Sequence, residues 1–210
     1  MKVIAINGSP RKKGNSAAML DAAIRGALEA GADCRRVDLF DLDYKGCVSC
    51  FGCKRLGGAS FGRCAQRDGL TALLDDILTA DVLLLATPLY FGEVPGAVRN
   101  LLERLWFPGL LYAKNYRGAY THRVKVGLMY TMNVPDETMY KGLITGHVQN
   151  FSMLLGKTEY VTALDTMQFD DYSLYASEMF DGEAKKLRKE TVFPKDCEKA
   201  YEMAKRLCAK

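Results

Sequence analysis

The sequence predicts an α/β domain in which a parallel sheet is covered by helices on both faces. Three observations carry that expectation. Strand-like and helix-like segments alternate five times along the chain. The run Asp81–Thr87 (DVLLLAT) is continuously apolar, as a strand buried on both faces of a parallel sheet must be. The opening, Lys2–Ser16, reads as a strand, a polar glycine-containing loop and a helix start.

Each element can be justified in turn. Val3–Ile6 are apolar and are broken by Asn7, Gly8, Ser9 and Pro10, which favours a strand over a helix. Arg11, Lys12 and Lys13 follow, then Gly14, with Asn15 and Ser16 as candidate helix caps. The first helix aligns Leu20, Ala23, Ile24, Ala27 and Leu28 on one face. Gly31 ends it, and a second strand is expected over Cys34–Leu39. The stretch 46–67 is rich in Gly and Cys without any period, so it reads as a loop excursion. Asp68 is placed to cap a helix that is apolar at Leu70, Leu73, Leu74, Ile77 and Leu78.

The third strand ends at Pro88, and Pro95 suits the first turn of a helix that buries Val98, Leu101, Leu102 and Leu105. Phe107–His122 is aromatic and aperiodic. Further elements are expected at Val124–Thr131 (strand), Asp136–Leu155 (helix), Thr158–Leu164 (strand) and Pro194–Cys208 (helix). His147 lies on an apolar helical stripe and reads as a satisfied core histidine. His122 reads as an exposed loop residue without a partner, and Cys34, Cys197 and Cys208 as small core residues. The basic run Lys185–Lys189 reads as a solvated helix face.

Composition narrows the class of function. A chain of 210 residues suits one domain, 1–210, with a substantial core. The net charge of +4 is mild and no Lys/Arg block is long enough for a nucleic acid or a polybasic membrane site. No apolar run approaches the roughly 20 residues that span a bilayer. No secretory signal pattern is visible, so a cytoplasmic protein is expected. In a reducing compartment the seven cysteines point to metal, redox or core roles rather than a disulfide framework.

In an open parallel sheet, ligands gather beyond the carboxyl ends of the strands, where the strand order reverses. A polar loop directly after the first strand fits the flavodoxin-like order 2-1-3-4-5, a five-stranded doubly wound sheet in three layers. Asn7–Ser16, Thr87–Gly92 and Thr131–Asn133 then share one edge. The first loop offers backbone N–H groups and the positive end of a helix to a phosphate, with the Ser9 and Ser16 hydroxyls, the Asn15 amide and the Arg11 charge around it. It matches neither GxGxxG nor GxxxxGK[ST], and an ordinary βα turn is the plainer alternative. Pro88–Gly92 supplies Tyr90 and Phe91 for a flat ring, or simply ends a strand in a turn. The cysteines run Cys47-x2-Cys50-x2-Cys53-x10-Cys64, a spacing able to converge on an iron–sulfur cubane. Free thiols, zinc or a redox disulfide are the alternatives.

These stretches carry a resemblance. Gly8–Ser16 (GSPRKKGNS) resembles the GSPR-x-x-GN-[ST] loop of the NAD(P)H-dependent FMN reductases. Thr87–Gly92 (TPLYFG) resembles that family's SPVYFG segment, which lies against the flavin ring, and follows about 70 residues later in the family's order. Cys47–Cys64 is similar to the compact motif of the iron–sulfur flavoprotein branch, with a longer last gap. The resemblance implies FMN bound by Ser9, Arg11, Gly14, Asn15, Ser16, Thr87, Pro88, Leu89, Tyr90, Phe91, Gly92 and Thr131. It also implies a [4Fe–4S] cluster on Cys47, Cys50, Cys53 and Cys64. The activity implied is that of an FMN-dependent oxidoreductase working between small-molecule or protein electron donors and acceptors. A homodimer or homotetramer is implied as well, with the cysteine loop and Phe107–His122 near a subunit interface. A cluster-free NAD(P)H-dependent FMN or quinone reductase and a flavodoxin-like carrier without turnover are the alternative readings. No catalytic side chain is expected, because a flavin enzyme draws its chemistry from the cofactor.

Overall fold

The computed structural model describes residues 1–114 and 118–209. Strands β1 (Lys2–Asn7), β2 (Asp33–Asp38), β3 (Val82–Pro88), β4 (Lys125–Thr131) and β5 (Thr158–Ala163) form one sheet in the order β2-β1-β3-β4-β5. All neighbouring pairs are parallel. All seven residues of β3 are buried, which is why its sequence shows no alternation.

Strand alternation sorts the core into two layers. Ile4, Ile6, Leu83 and Leu85 face α2 (Thr71–Leu78), α3 (Gly96–Gly109) and α4 (Lys141–Leu154). Val3, Ala5, Leu84 and Ala86 face α1 (Asn15–Glu29) and α6 (Phe193–Cys208), which α5 (Gly182–Thr191) precedes. The second layer is thin because α1 presents alanines, and α1 and α6 touch closely. A Cβ on Gly26 would collide with the backbone carbonyl of Tyr201.

Several local expectations need correction. Helix α1 starts at Asn15 behind Gly14, and no side chain caps it. Its buried face takes in Met19 and Ala22, while Leu28 is exposed. Asp68 does not cap α2, whose cap position is Leu70. Instead Asp68 Oδ1 accepts from the Leu70 N–H at 3.0 Å, and its other oxygen is drawn to Arg104. Pro95 sits one place before α3 rather than within its first turn. The basic run is helical as expected and forms α5. Lys185 within it is buried rather than solvated, since Asp165 and Asn133 offer it partners.

His147 is buried as expected, with the Tyr130 hydroxyl 2.9 Å from Nδ1. Its Nε2, however, has no hydrogen-bond partner among the described residues. Burial pushes its pKa down to about 4. His122 is exposed, yet its Nε2 lies 2.8 Å from the Ala80 carbonyl. Cys208 is buried and Cys34 and Cys197 are half-buried, and burial pushes the latter two thiols up to about 11.

The excursion 46–67 contains one 3₁₀ turn, Gly52–Lys54. Arg104, whose side chain is fully buried, closes its base. The guanidinium donates to Asp68 Oδ2 at 2.5 Å, to the Lys45 carbonyl at 3.1 Å and to the Gln66 carbonyl at 3.4 Å. Lys54 ties the middle of the excursion to the end of α3, donating to the carbonyls of Phe107 and Leu110. Those carbonyls have no intrahelical donor, so a cation is favoured there. Of the aperiodic segment Phe107–His122, α3 takes the first three residues, and 115–117 lie outside the described residues.

Candidate functional site

The first loop of the carboxyl edge is shaped by side chains already spent on the backbone. Buried Asn7 accepts from the Ser9 N–H at 3.1 Å and donates to Asp38 at 2.7 Å. Ser9 Oγ in turn accepts from the Arg11 N–H at 3.1 Å. Burial alone would raise the Asp38 carboxyl. Hydrogen bonds from Arg36 and Asn7 outweigh that and hold it below the usual carboxylate range. Gly8 is needed because a Cβ there would lie 2.5 Å from Val98 Cγ2. Past this turn α1 begins uncapped, so the N–H groups of its first turn lack an intrahelical partner, and Gly14, Asn15 and Ser16 line the cleft there.

The loop after β3 is a tight turn. Tyr90 and Glu93 exchange backbone hydrogen bonds at 2.8 and 3.0 Å, with Phe91 at φ 51° and Gly92 at φ 87° between them. Two central residues at positive φ make this the hairpin turn that ordinarily wants Asn-Gly. Phe91 therefore holds a strained backbone while its side chain is fully exposed. The Leu89 N–H is taken by the Thr131 carbonyl and the Tyr90 N–H by Glu93. Among the described residues, only the N–H groups of Phe91 and Gly92 in this turn lack an intramolecular partner.

One cleft gathers most of the expected residues. Ser9, Arg11, Gly14, Asn15 and Ser16 line one end, Pro88, Leu89 and Tyr90 the other, and Thr131 lies between them with Met132 and Asn133. The buried hydroxyls of Ser16 and Thr131 are 2.8 Å apart, tying the start of α1 to the end of β4. Thr87 lies buried beneath the floor, its hydroxyl donating to the Pro88 carbonyl at 3.1 Å. Phe91 and Gly92 stand at the turn tip outside the lining.

Sequence reading missed a fourth wall, Thr166 and Gln168 from the segment after β5. The signal was topological: β5 is parallel to the rest, so its following loop must emerge on the same edge. The uncapped α1 terminus and the Arg11 cation suit a phosphorylated ligand.

The cysteine loop is arranged differently. Cys50 is exposed, Cys53 is buried and Cys47 is half-buried. Cys64 Sγ accepts from Arg104 Nε at 3.3 Å. Among the described residues no group of three His, Cys, Asp or Glu is placed to hold a metal ion. The four thiols as arranged do not fit a cluster.

Fold and cleft together define a flavodoxin-like α/β protein with its ligand edge at the strand carboxyl ends. The family model described as NADPH-dependent FMN reductase matches residues 1–133, and the chain belongs to that family. A curated iron-sulfur flavoprotein of Archaeoglobus fulgidus is 35% identical over 104 residues, 50% of this chain and 48% of that protein. One from Methanosarcina thermophila is 29% identical over 116 residues, 55% of this chain and 56% of that one. The chain thus spans about half the length of the curated relatives it matches. Among solved structures, an NAD(P)H:quinone oxidoreductase from Methanothermobacter marburgensis superposes with a TM-score of 0.71 at 15% identity, covering 99% of this chain and 98% of that one. An azoreductase from Bacillus anthracis str. Sterne gives a TM-score of 0.69 at 15% identity, covering 98% and 99%. These two likenesses concern the fold. No helix among the described residues is long and apolar enough to cross a membrane.

Proposed function

We propose that this protein is an FMN-dependent oxidoreductase that takes electrons from a reduced donor such as NAD(P)H and passes them to a small-molecule or protein acceptor. One observation carries the reading: the uncapped α1 terminus with Arg11 and the loops after β3 and β4 line a single cleft, and all lie within the residues the family model matches. When bound, FMN would supply the interchange between two-electron and one-electron transfer. The chain's own task is to bind and orient. The N–H groups at the start of α1, the Arg11 guanidinium and the Ser16 hydroxyl would hold the phosphate dianion. Tyr90 would wall the ring, and the N–H groups of Phe91 and Gly92 are free to donate to its polar edge. The test is anaerobic purification, identification of the released flavin, and steady-state NAD(P)H oxidation with quinone and flavin acceptors. Stoichiometric FMN with turnover supports the reading, and bound FMN without turnover would leave a carrier.

The likeness to iron-sulfur flavoproteins supports a second, finer reading, a [4Fe–4S] cluster on Cys47, Cys50, Cys53 and Cys64. It requires the Arg104–Cys64 bond to open, and iron content under anaerobic conditions decides it. A homodimer or homotetramer belongs to the same reading. Val48, Phe51 and Leu56 of the cysteine loop and Tyr112 beyond α3 are exposed and apolar, which supports an interface there. Light scattering tests it.

A further inference from the structure

The segment after β5 is fastened to the cleft from both sides. Beneath it, the buried Lys185 ammonium donates to Asp165 Oδ1 and Asn133 Oδ1 and lies 5.0 Å from the centre of the Phe180 ring. A lysine is almost never so buried unless it is paired. Asp165 itself bends the chain. Its φ is 51°, a left-handed state that side chains other than Asn, Asp and Gly avoid. Its N–H donates to the Val134 carbonyl at 2.8 Å, and the Thr166 N–H donates to the Met132 carbonyl at 3.1 Å.

The bend carries residues 166–168 to the α1 end of the cleft. There Arg11 Nη1 donates to the Gln168 carbonyl at 2.7 Å and Asn15 Nδ2 to the Met167 carbonyl at 2.8 Å. Further on, the Gln168 N–H donates to the Tyr172 hydroxyl at 3.0 Å, and Phe169 stacks on Tyr175 with ring centres 4.1 Å apart. This strap lies outside residues 1–133, the part that the family model matches.

We propose that the strap 165–168, anchored by Lys185, is a specificity wall that admits a flavin ending in a monophosphate and excludes one extended into a dinucleotide. The inference rests on the FMN reading above and names the determinant of its selectivity. A terminal phosphate is met by the α1 N–H groups, the Arg11 guanidinium and the Ser16 hydroxyl. A second phosphate with its adenosine would need room beyond the first, and the strap, lining the cleft with Thr166 and Gln168 and bonded to Arg11 and Asn15, occupies the α1 end. Two carbonyl oxygens are latched there, and their negative ends oppose a further phosphate. Riboflavin, which ends before this region, does not meet the wall.

The test is titration of apoprotein with riboflavin, FMN and FAD, followed by flavin fluorescence, for wild type, Lys185→Met and Asp165→Asn. Asn tolerates the left-handed backbone at 165 while removing the charge that holds Lys185. Wild type should prefer FMN to FAD by about a hundredfold or more. Both variants should shrink that ratio about tenfold, with riboflavin affinity unchanged within about twofold. A wild type that binds FAD as tightly as FMN overturns the proposal, and so do folded variants that keep the wild-type ratio. If Lys185→Met does not fold, Asp165→Asn decides alone. A wild type that binds none of the three flavins would instead overturn the FMN reading itself.

Discussion

Arg104 donates from Nε to the sulfur of Cys64 across 3.3 Å, and the two residues close the base of the cysteine excursion. The same guanidinium meets Asp68 and the carbonyls of Lys45 and Gln66, so a single buried side chain fixes both ends of the loop. Replacing Arg104 with Ala strands a carboxylate and two carbonyls and should destabilise the protein by about 3 kcal/mol. Arg104→Lys should recover little of this, because an ammonium cannot reproduce the planar fork. Cys64→Ala should cost about 1 kcal/mol. Urea unfolding checks all three, with proteolysis within 46–67 as the local readout.

The same bond sets the expectation for iron. Less than about one iron per chain in anaerobic protein would mean that Cys64 stays with Arg104. A value near four would mean that the bond opens for a cubane cluster.

Acid stability should fall in two stages. Burial pushes His147 down to about 4 from an ordinary 6.5, so between those values the unfolded chain binds a proton that the folded one refuses. Stability contributed by neutral His147 is therefore full above pH 6.5 and is lost as pH falls toward 4, by about 3 kcal/mol at most. His147→Gln, which still offers Tyr130 a partner but does not titrate, should flatten this limb. At lower pH the carboxylates take over. For Asp68, burial raises the pKa, but the Arg104 bond and the backbone donors outweigh it and the net shift is downward. For Asp76, the hydrogen bond from Lys2 lowers it outright. Their contributions are complete above the ordinary 3.8 and are lost as pH falls through the lowered values. Asp68→Asn should remove part of that second limb in acid-unfolding curves.

Phe91 should show opposed effects on stability and binding. Phe91→Asn supplies the residue this turn prefers and should stabilise the fold by about 0.5 kcal/mol. It also removes the exposed aromatic beside the cleft and should weaken FMN about fivefold. Gly92→Val meets no side chain but forces a branched residue to φ 87°, so it should both lower the melting temperature and weaken FMN. Calorimetry and flavin titration separate the two effects.

The sheet was legible because its central strands are continuous apolar runs and because each loop that breaks them is chemically distinct. The cleft was legible from topology, since loops after the first, third and fourth strands of a parallel sheet share an edge. What escaped was held by single long-range partners. Lys185 sits among Lys186, Arg188 and Lys189 and looks solvated, yet its burial depends on Asp165, which lies twenty residues earlier in the chain. The strap 165–168 has no apolar period to mark it. Arg104 was readable in part: it follows Leu101 by one helical turn, so it sits on the buried face of α3 and needs a partner there. The N–H groups of Leu89 and Tyr90 are taken by Thr131 and Glu93 because the turn closes on itself. No sequence period encodes that.

The most direct test of the central claim is the affinity of the apoprotein for FMN against riboflavin, in wild type and in the Arg11→Ala/Asn15→Ala variant. The α1 loop as phosphate site predicts FMN tighter than riboflavin by about a hundredfold in wild type. It predicts that the variant loses most of that advantage while riboflavin affinity stays nearly the same. Equal wild-type affinity for the two flavins, or a variant that weakens both alike, would contradict it.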